Sequence, residues 1–210
     1  MKKVLPIAPI LPELTEQDFY LEDEAFFQGL KLDDADYSYD SCNNLVIRES
    51  HLKRLTMQRT KLERFECSNV IFEKCDLSNL EWLAASFQQC LFKQCKLIGT
   101  NFADSYLRDC QFDDCLGTLS SFSNTNLKAV SFTNCNLTDT EFVEVTWRNL
   151  TLEKSQLTGS SWFHTKLNKL NLSSNYFEKI ALSQDLMRGL VVNQEQAIII
   201  AMGMGLVIED

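Results

Sequence analysis

The chain has 210 residues, 45% of them hydrophobic, which suffices for the core of one domain. Its net charge of −9 argues against direct nucleic-acid binding, which needs a basic footprint. The longest apolar run, Ala197 to Ile208, is too short to span a bilayer, so no membrane association is expected.

At the amino terminus, Met-Lys-Lys leads into a short apolar stretch broken by Pro6, Pro9 and Pro12, the only prolines in the chain. A secretory signal needs a longer uninterrupted apolar core and a small-residue cleavage site, so the reading is a cytoplasmic protein. From Glu13 to Asp40 there are ten acids and one base, Lys31. Residues 1–24 therefore read as an N-terminal arm and a solvated acidic cap. The absence of proline beyond residue 12 fits a repeating, hydrogen-bonded backbone, because proline removes a ladder donor.

Residues 25–184 carry a five-residue period. From Phe27 to Leu182 every fifth residue, 32 positions in all, is a side chain that buries well, Gly117 alone excepted. Two residues earlier runs a column of mostly small residues, among them Cys75, Cys90, Thr100, Cys110, Thr125 and Cys135. The position between them is mostly polar, as in Asp76, Asn101, Asn126 and Asn136, and so are the two that follow. Neither a helix nor an alternating strand has this period. A coil that turns a corner every five residues does, and such coils stack as rungs, each stabilised by its neighbours. The phase never slips, so no loop is expected.

The triplets Cys75-Asp76-Leu77, Thr100-Asn101-Phe102, Thr125-Asn126-Leu127 and Cys135-Asn136-Leu137 carry a motif of small residue, Asn or Asp, then Leu or Phe. This pattern resembles the pentapeptide-repeat family. The resemblance implies an all-β fold, a right-handed quadrilateral β-helix with four pentapeptides per coil. That means about eight coils without loops, in a rod roughly 38 Å long at ~4.8 Å per rung. Some positions depart from the motif. Phe65 and Cys67 exchange sizes within one pentapeptide. Asp40 and Asn175 put polar groups in the small column, where water is expected to reach them near the rod ends. Gly117 either leaves a gap or admits a bulky neighbour.

All eight cysteines fall in the two inward columns, so they read as small buried hydrophobes rather than metal ligands or disulfide partners. Their five-residue spacing is not that of a zinc site. His51 and His164 fall at outward positions in different coils. Without a nucleophile elbow, phosphate loop or zinc-protease motif, no enzyme activity, cofactor or metal is expected.

The phase ends near Leu182, and residues 185–210 read as a C-terminal cap and dimerisation segment. Asn193 can cap a helix, with Gln196 reaching back as in a capping box. The helix is expected over Ala197 to Met204, with Gly205 at its carboxyl end, followed by a short strand at Leu206-Val207-Ile208. This segment has more apolar side chains than one rod end can cover. It can cap the last coil's sheet edges, pair two copies, or both; the dimer candidates are Leu186, Met187, Leu190, Ile198, Ile199, Met202, Leu206 and Ile208. The tail resembles that of the quinolone-resistance (Qnr-type) proteins that protect bacterial topoisomerases, which implies a homodimer joined end to end.

The same resemblance implies a partner: DNA gyrase or topoisomerase IV, engaged by a rod that mimics duplex DNA and shields the enzyme from quinolones. Such binding needs outward negative charge. Asp104, Asp109, Asp113, Asp114, Asp139, Glu141 and Glu144 are expected to supply it, against Arg108 and Lys128. Between Arg48 and Arg64 bases predominate, so the charge is segmented along the rod. The alternative is a structural or interaction solenoid with an unrelated partner.

Overall fold

The structure, a computed structural model, describes residues 4–209. The Met-Lys-Lys start and Asp210 lie outside the described residues. The chain winds as a parallel β-solenoid of about eight coils. The turn that drives the winding is local. The last residue of every pentapeptide from Asp34 to Lys169 has positive φ, between 48° and 69° at the non-glycine positions. That left-handed residue bends the chain once every five residues, and the extended residues between make one side of a square.

Every ladder pairs a residue with the one twenty later, in parallel, as in Phe92 with Phe112 and Leu127 with Trp147. Four pentapeptides therefore close one coil, and no insertion breaks the register, as the unbroken period requires. We label the four faces by their central columns. Face I holds Ile47, Cys67, Phe87, Leu107, Leu127 and Trp147. Face II holds Leu52, Phe72, Phe92, Phe112, Phe132 and Leu152. Face III contains Met57, Leu77, Leu97, Gly117 and Leu137, and face IV contains Leu62, Trp82, Phe102, Phe122, Phe142 and Trp162. Faces I and II form one eleven-stranded sheet. In the middle coils the strands Tyr106–Asp113, Asn126–Thr133 and Thr146–Glu153 run through the corner between faces I and II without a break. Faces III and IV instead close through tight turns, such as Thr100 N–H to Leu97 O at 3.1 Å and Ser105 N–H to Phe102 O at 3.3 Å.

The core is two aromatic ladders on opposite faces. On face II the rings of Phe72, Phe92, Phe112 and Phe132 stack 4.6–4.7 Å apart and within 11° of parallel. On face IV, Phe102, Phe122, Phe142 and Trp162 stack at 4.2–5.3 Å. Between the ladders the rings meet edge to face, as in Phe112 and Phe122 at 5.8 Å and 88°. Where the sizes swap, Phe65 fills the core from the small column and stacks on Trp82 at 6.0 Å and 16°.

The small column is more than small. At most of its polar positions the side chain donates to the carbonyl of the central residue 23 positions earlier: Thr100 Oγ1 to Leu77 O at 2.7 Å, Ser105 Oγ to Trp82 O at 3.0 Å, Cys115 Sγ to Phe92 O at 3.3 Å. Ser, Thr and Cys recur there because each fits the corner and satisfies a buried acceptor. All eight cysteines are free and buried. Burial pushes the Cys90, Cys95 and Cys110 thiols well up.

Three expectations require correction. Asn175 is buried rather than wetted: its Nδ2 donates to Leu152 O at 2.8 Å and its Oδ1 accepts from Ser155 N–H at 3.0 Å. The carboxamide takes over the corner-donor role of Ser and Thr. Asp40, by contrast, is exposed. The helix starts earlier than expected, at Gln194–Gly203, because Asn193 and Gln196 form the capping box at its very beginning. Leu206 to Ile208 is not a strand, since no neighbouring edge pairs with it. Gly205, at φ 91°, ends the helix instead, with Gly205 N–H to Met202 O at 2.9 Å and Leu206 N–H to Ala201 O at 3.1 Å.

Both rod ends are closed. At the amino end Phe19 is buried against Phe27 and Tyr37, whose hydroxyl donates to Phe19 O. At the other end Gln196 is buried, and its Nε2 donates to Leu172 O at 2.9 Å and Asn175 O at 2.7 Å. The capping-box residue thus also plugs the last coil. Among the described residues no helix is long and apolar enough to cross a membrane.

Candidate functional site

With its interior filled by side chains, the rod offers only faces and corners. The seven acids do not share a surface. Glu141 lies on face IV, Asp104 and Glu144 at its corner with face I, and Asp139 at its corner with face III. Within coils 101–163 these four border a surface without a lysine or arginine, otherwise set with Asn101, Ser121, Ser123 and Asn124. Glu141 is exposed, and Ser121 and Ser123 donate to its Oε2 at 3.1 and 3.4 Å.

Asp109 lies at the corner of faces I and II, Asp113 on face II, and Asp114 at the corner of faces II and III. Asp114 is exposed, but Asp109 and Asp113 are only partly so, against the expectation that all seven stand free. The cause is the N-terminal arm, which lies along the corner of faces I and II. Ile7 N–H donates to Asp109 Oδ1 at 3.3 Å, Gln89 Nε2 donates to Ala8 O at 2.9 Å, and Asn69 takes Ile10 at both its N–H (2.6 Å) and its carbonyl (2.5 Å). Arg108 Nε also faces Asp109 Oδ2 at 3.4 Å. Asp113 shares a groove with Leu5 and Pro6, and burial there pushes its carboxyl above the ordinary range.

The face-I corner carries the mark of this covering. From Glu49 to Asn149 its residues are half-buried, and Ala129 is fully buried, while corner residues on the other three edges are nearly all exposed. Sequence reading missed the arm's docking. Its only sign was the placement of Pro6, Pro9 and Pro12 at every third position.

Face I itself carries bases. Arg108, Lys128 and Arg148 stack in one column, coil upon coil. In the next coil the column position is Asn168, flanked by Lys166 and Lys169 beside an open groove that includes Val4 and Trp147. Among the described residues no carboxylate forms an ion pair with Lys128, Arg148, Lys166 or Lys169. The basic segment Arg48 to Arg64 is different. Three of its six bases are answered one coil away, Lys53 by Glu73 at 4.0 Å, Arg54 by Asp33 at 2.8 Å and Lys61 by Glu81 at 3.4 Å.

The tail candidates also divide. Met187, Leu190 and Ile199 pack on the chain's own core and Leu186 is half-buried, whereas Ile198, Met202, Leu206 and Ile208 are exposed. Met204 and Val207 extend that apolar surface.

Among solved structures, the chain is similar to HetL, a pentapeptide repeat protein involved in heterocyst differentiation regulation in the cyanobacterium Nostoc. The identity is 15% and the TM-score 0.57, over 81% of this chain and 86% of that one. It also aligns with full-length QnrB1, a plasmid-mediated fluoroquinolone resistance protein, at 13% identity and a TM-score of 0.33, over 87% of this chain and 100% of the other. At such identities the likeness to HetL is one of fold. No curated protein sequence matches the chain. Residues 85–162 match the family model described as a pentapeptide repeat region. The same five-residue register and twenty-residue pairing continue through the coils on either side of this pentapeptide repeat region.

Proposed function

We propose that this protein is a non-enzymatic binding rod whose partner is a type II topoisomerase, DNA gyrase or topoisomerase IV. It engages the enzyme's DNA-binding surface in place of duplex DNA and so shields it from quinolones. The observation that carries the reading is the loop-free acidic side made by Asp104, Asp139, Glu141 and Glu144, which has no base in coils 101–163. A basic saddle shaped for phosphates is the surface such a side would meet. The exposed Ile198, Met202, Leu206 and Ile208 pair two rods at their carboxyl ends, and the homodimer works in the cytoplasm.

The test is a supercoiling assay with purified gyrase and a fluoroquinolone. The protein restores supercoiling at low ratio to enzyme, and the effect weakens as salt rises, because exposed charges are screened. Asp104→Asn, Glu141→Gln and Glu144→Gln combined weaken it at least tenfold, while Asp113→Asn with Asp114→Asn changes it little. A folded dimer that neither binds nor protects gyrase at any ratio sinks the reading. The column Arg108, Lys128 and Arg148 favours a second one, an interaction solenoid for an unrelated acidic partner. Retention of an acidic protein that Arg148→Glu abolishes would support it.

A further inference from the structure

We propose that the corner of faces I and II is a docking track for an extended partner peptide carrying proline at every third residue. The protein's own N-terminal arm is its resident, displaceable occupant. This surface is separate from the acidic side and does not depend on the topoisomerase reading.

The arm sequence is pre-organised for such a track. Proline holds φ near −65°, and a residue before proline is confined to extended conformations. In residues 5–12 this leaves only Ile7 and Ile10 unconstrained. The same two residues, each following a proline and three apart, donate their N–H groups to the rod, to Asp109 and Asn69. Three residues of polyproline II rise about 9.3 Å. Asn69 and Asp109 are two coils apart, about 9.6 Å at the ordinary strand spacing. One turn of the peptide thus matches two coils, and the match repeats wherever proline recurs every third residue. Val4, a further three residues on from Ile7, lines the same open groove as Asn149, a further two coils along the corner.

The contacts read backbone more than side chain. Asn69 grips both polar groups of Ile10, and Gln89 takes the Ala8 carbonyl. Ile7 and Ile10 turn their side chains to solvent, so the resident's apolar residues are not what the track selects. The resident also leaves the track incompletely used. Gln111, which shares a groove with Leu5 and Pro6, has a buried Nε2 without a partner. The class of ligand is therefore a peptide with Pro-x-x-Pro-x-x-Pro spacing, and an arm tethered in cis competes with it by high local concentration.

The experiment uses the full chain with Pro6→Gly, Pro9→Gly and Pro12→Gly, which frees the arm without touching the rod. The probe is a fluorescent peptide of residues 4–14, followed by anisotropy. The expected result is at least tenfold tighter binding to this variant than to the wild type. Adding Asn69→Ala and Gln89→Ala should lose that gain, and a peptide of the same composition with its prolines adjacent should not bind. Equal binding to wild type and variant, or equal binding of the respaced peptide, overturns the track. Peptide capture only through exchange of arms between two copies, seen as a concentration-dependent dimer in light scattering of a tail-mutated monomer, overturns the assignment to a partner. Hydrogen exchange in the wild type gives an independent reading. The Ile7 and Ile10 amides should exchange at least tenfold slower than in the free peptide, and unprotected amides refute the docked arm.

Discussion

Leu137 comes to within 3.1 Å of the position that a β-carbon on Gly117 would occupy. Gly117 is the single break in the large inward column, and the side chain of the next coil fills the space it leaves. The Gly117 carbonyl is used as well, accepting from Ser120 Oγ at 2.7 Å and Thr140 Oγ1 at 2.9 Å.

Restoring the repeat's usual residue should therefore harm this protein. Gly117→Leu is expected to cost about 1–3 kcal/mol through overpacking. Urea denaturation checks it, by a lower midpoint at unchanged slope. An unchanged midpoint would mean that Leu137 yields without strain.

Cys110 is fully buried in the small column. Cys110→Asp places a carboxylate there without a partner, at an expected cost above ~4 kcal/mol. Asn124→Asp, at an exposed corner, should stay within ~0.5 kcal/mol of the parent. Comparable losses at the two sites would contradict the inward and outward assignment.

The buried thiols also predict an alkaline limit. Burial holds the Cys90, Cys95 and Cys110 thiols protonated in the fold, above their unfolded pKa. The unfolded chain therefore loses protons first as pH rises. Stability should be flat below about pH 8.5 and fall above it, by up to about 1.4 kcal/mol per pH unit for each such thiol. Denaturation midpoints at pH 8 and pH 10 test the sign. Thiol labelling should be slow in the native protein and fast in denaturant.

Gln196→Ala removes the reach-back half of the capping box and takes the Nε2 donor from the Leu172 and Asn175 carbonyls, of which Leu172 keeps Asn175 Nδ2 at 3.2 Å. The expected loss is about 1–3 kcal/mol. Circular dichroism should report weakened helix before the rod unfolds.

Tail variants should separate assembly from folding. Ile198→Asp with Met202→Asp, both exposed in the single chain, should give a folded monomer by light scattering. Ile199→Asp should lower the melting temperature instead, because Ile199 packs on the core. If the intact protein is monomeric at micromolar concentration, the exposed tail surface is not a dimer seam.

Much of this protein is legible in its sequence because the solenoid's rules are local. Large and small inward columns at a fixed five-residue period specify the coil without reference to distant parts of the chain. Asn193, Gln196 and Gly205 similarly announce a helix and its two ends. Three features were decided only by tertiary structure. Which acids share a side depends on position within the coil of twenty, so Asp104 and Glu144 fall together while Asp109 and Asp113 turn away. Whether a polar residue in the small column is wet or bonded depends on the carbonyl stacked beneath it, which is why Asn175 is buried and Asp40 is not. Where the arm lies depends on a match between a three-residue peptide turn and two coils of the rod. That is a relation between residues 59 to 102 positions apart, invisible to any periodicity within the chain.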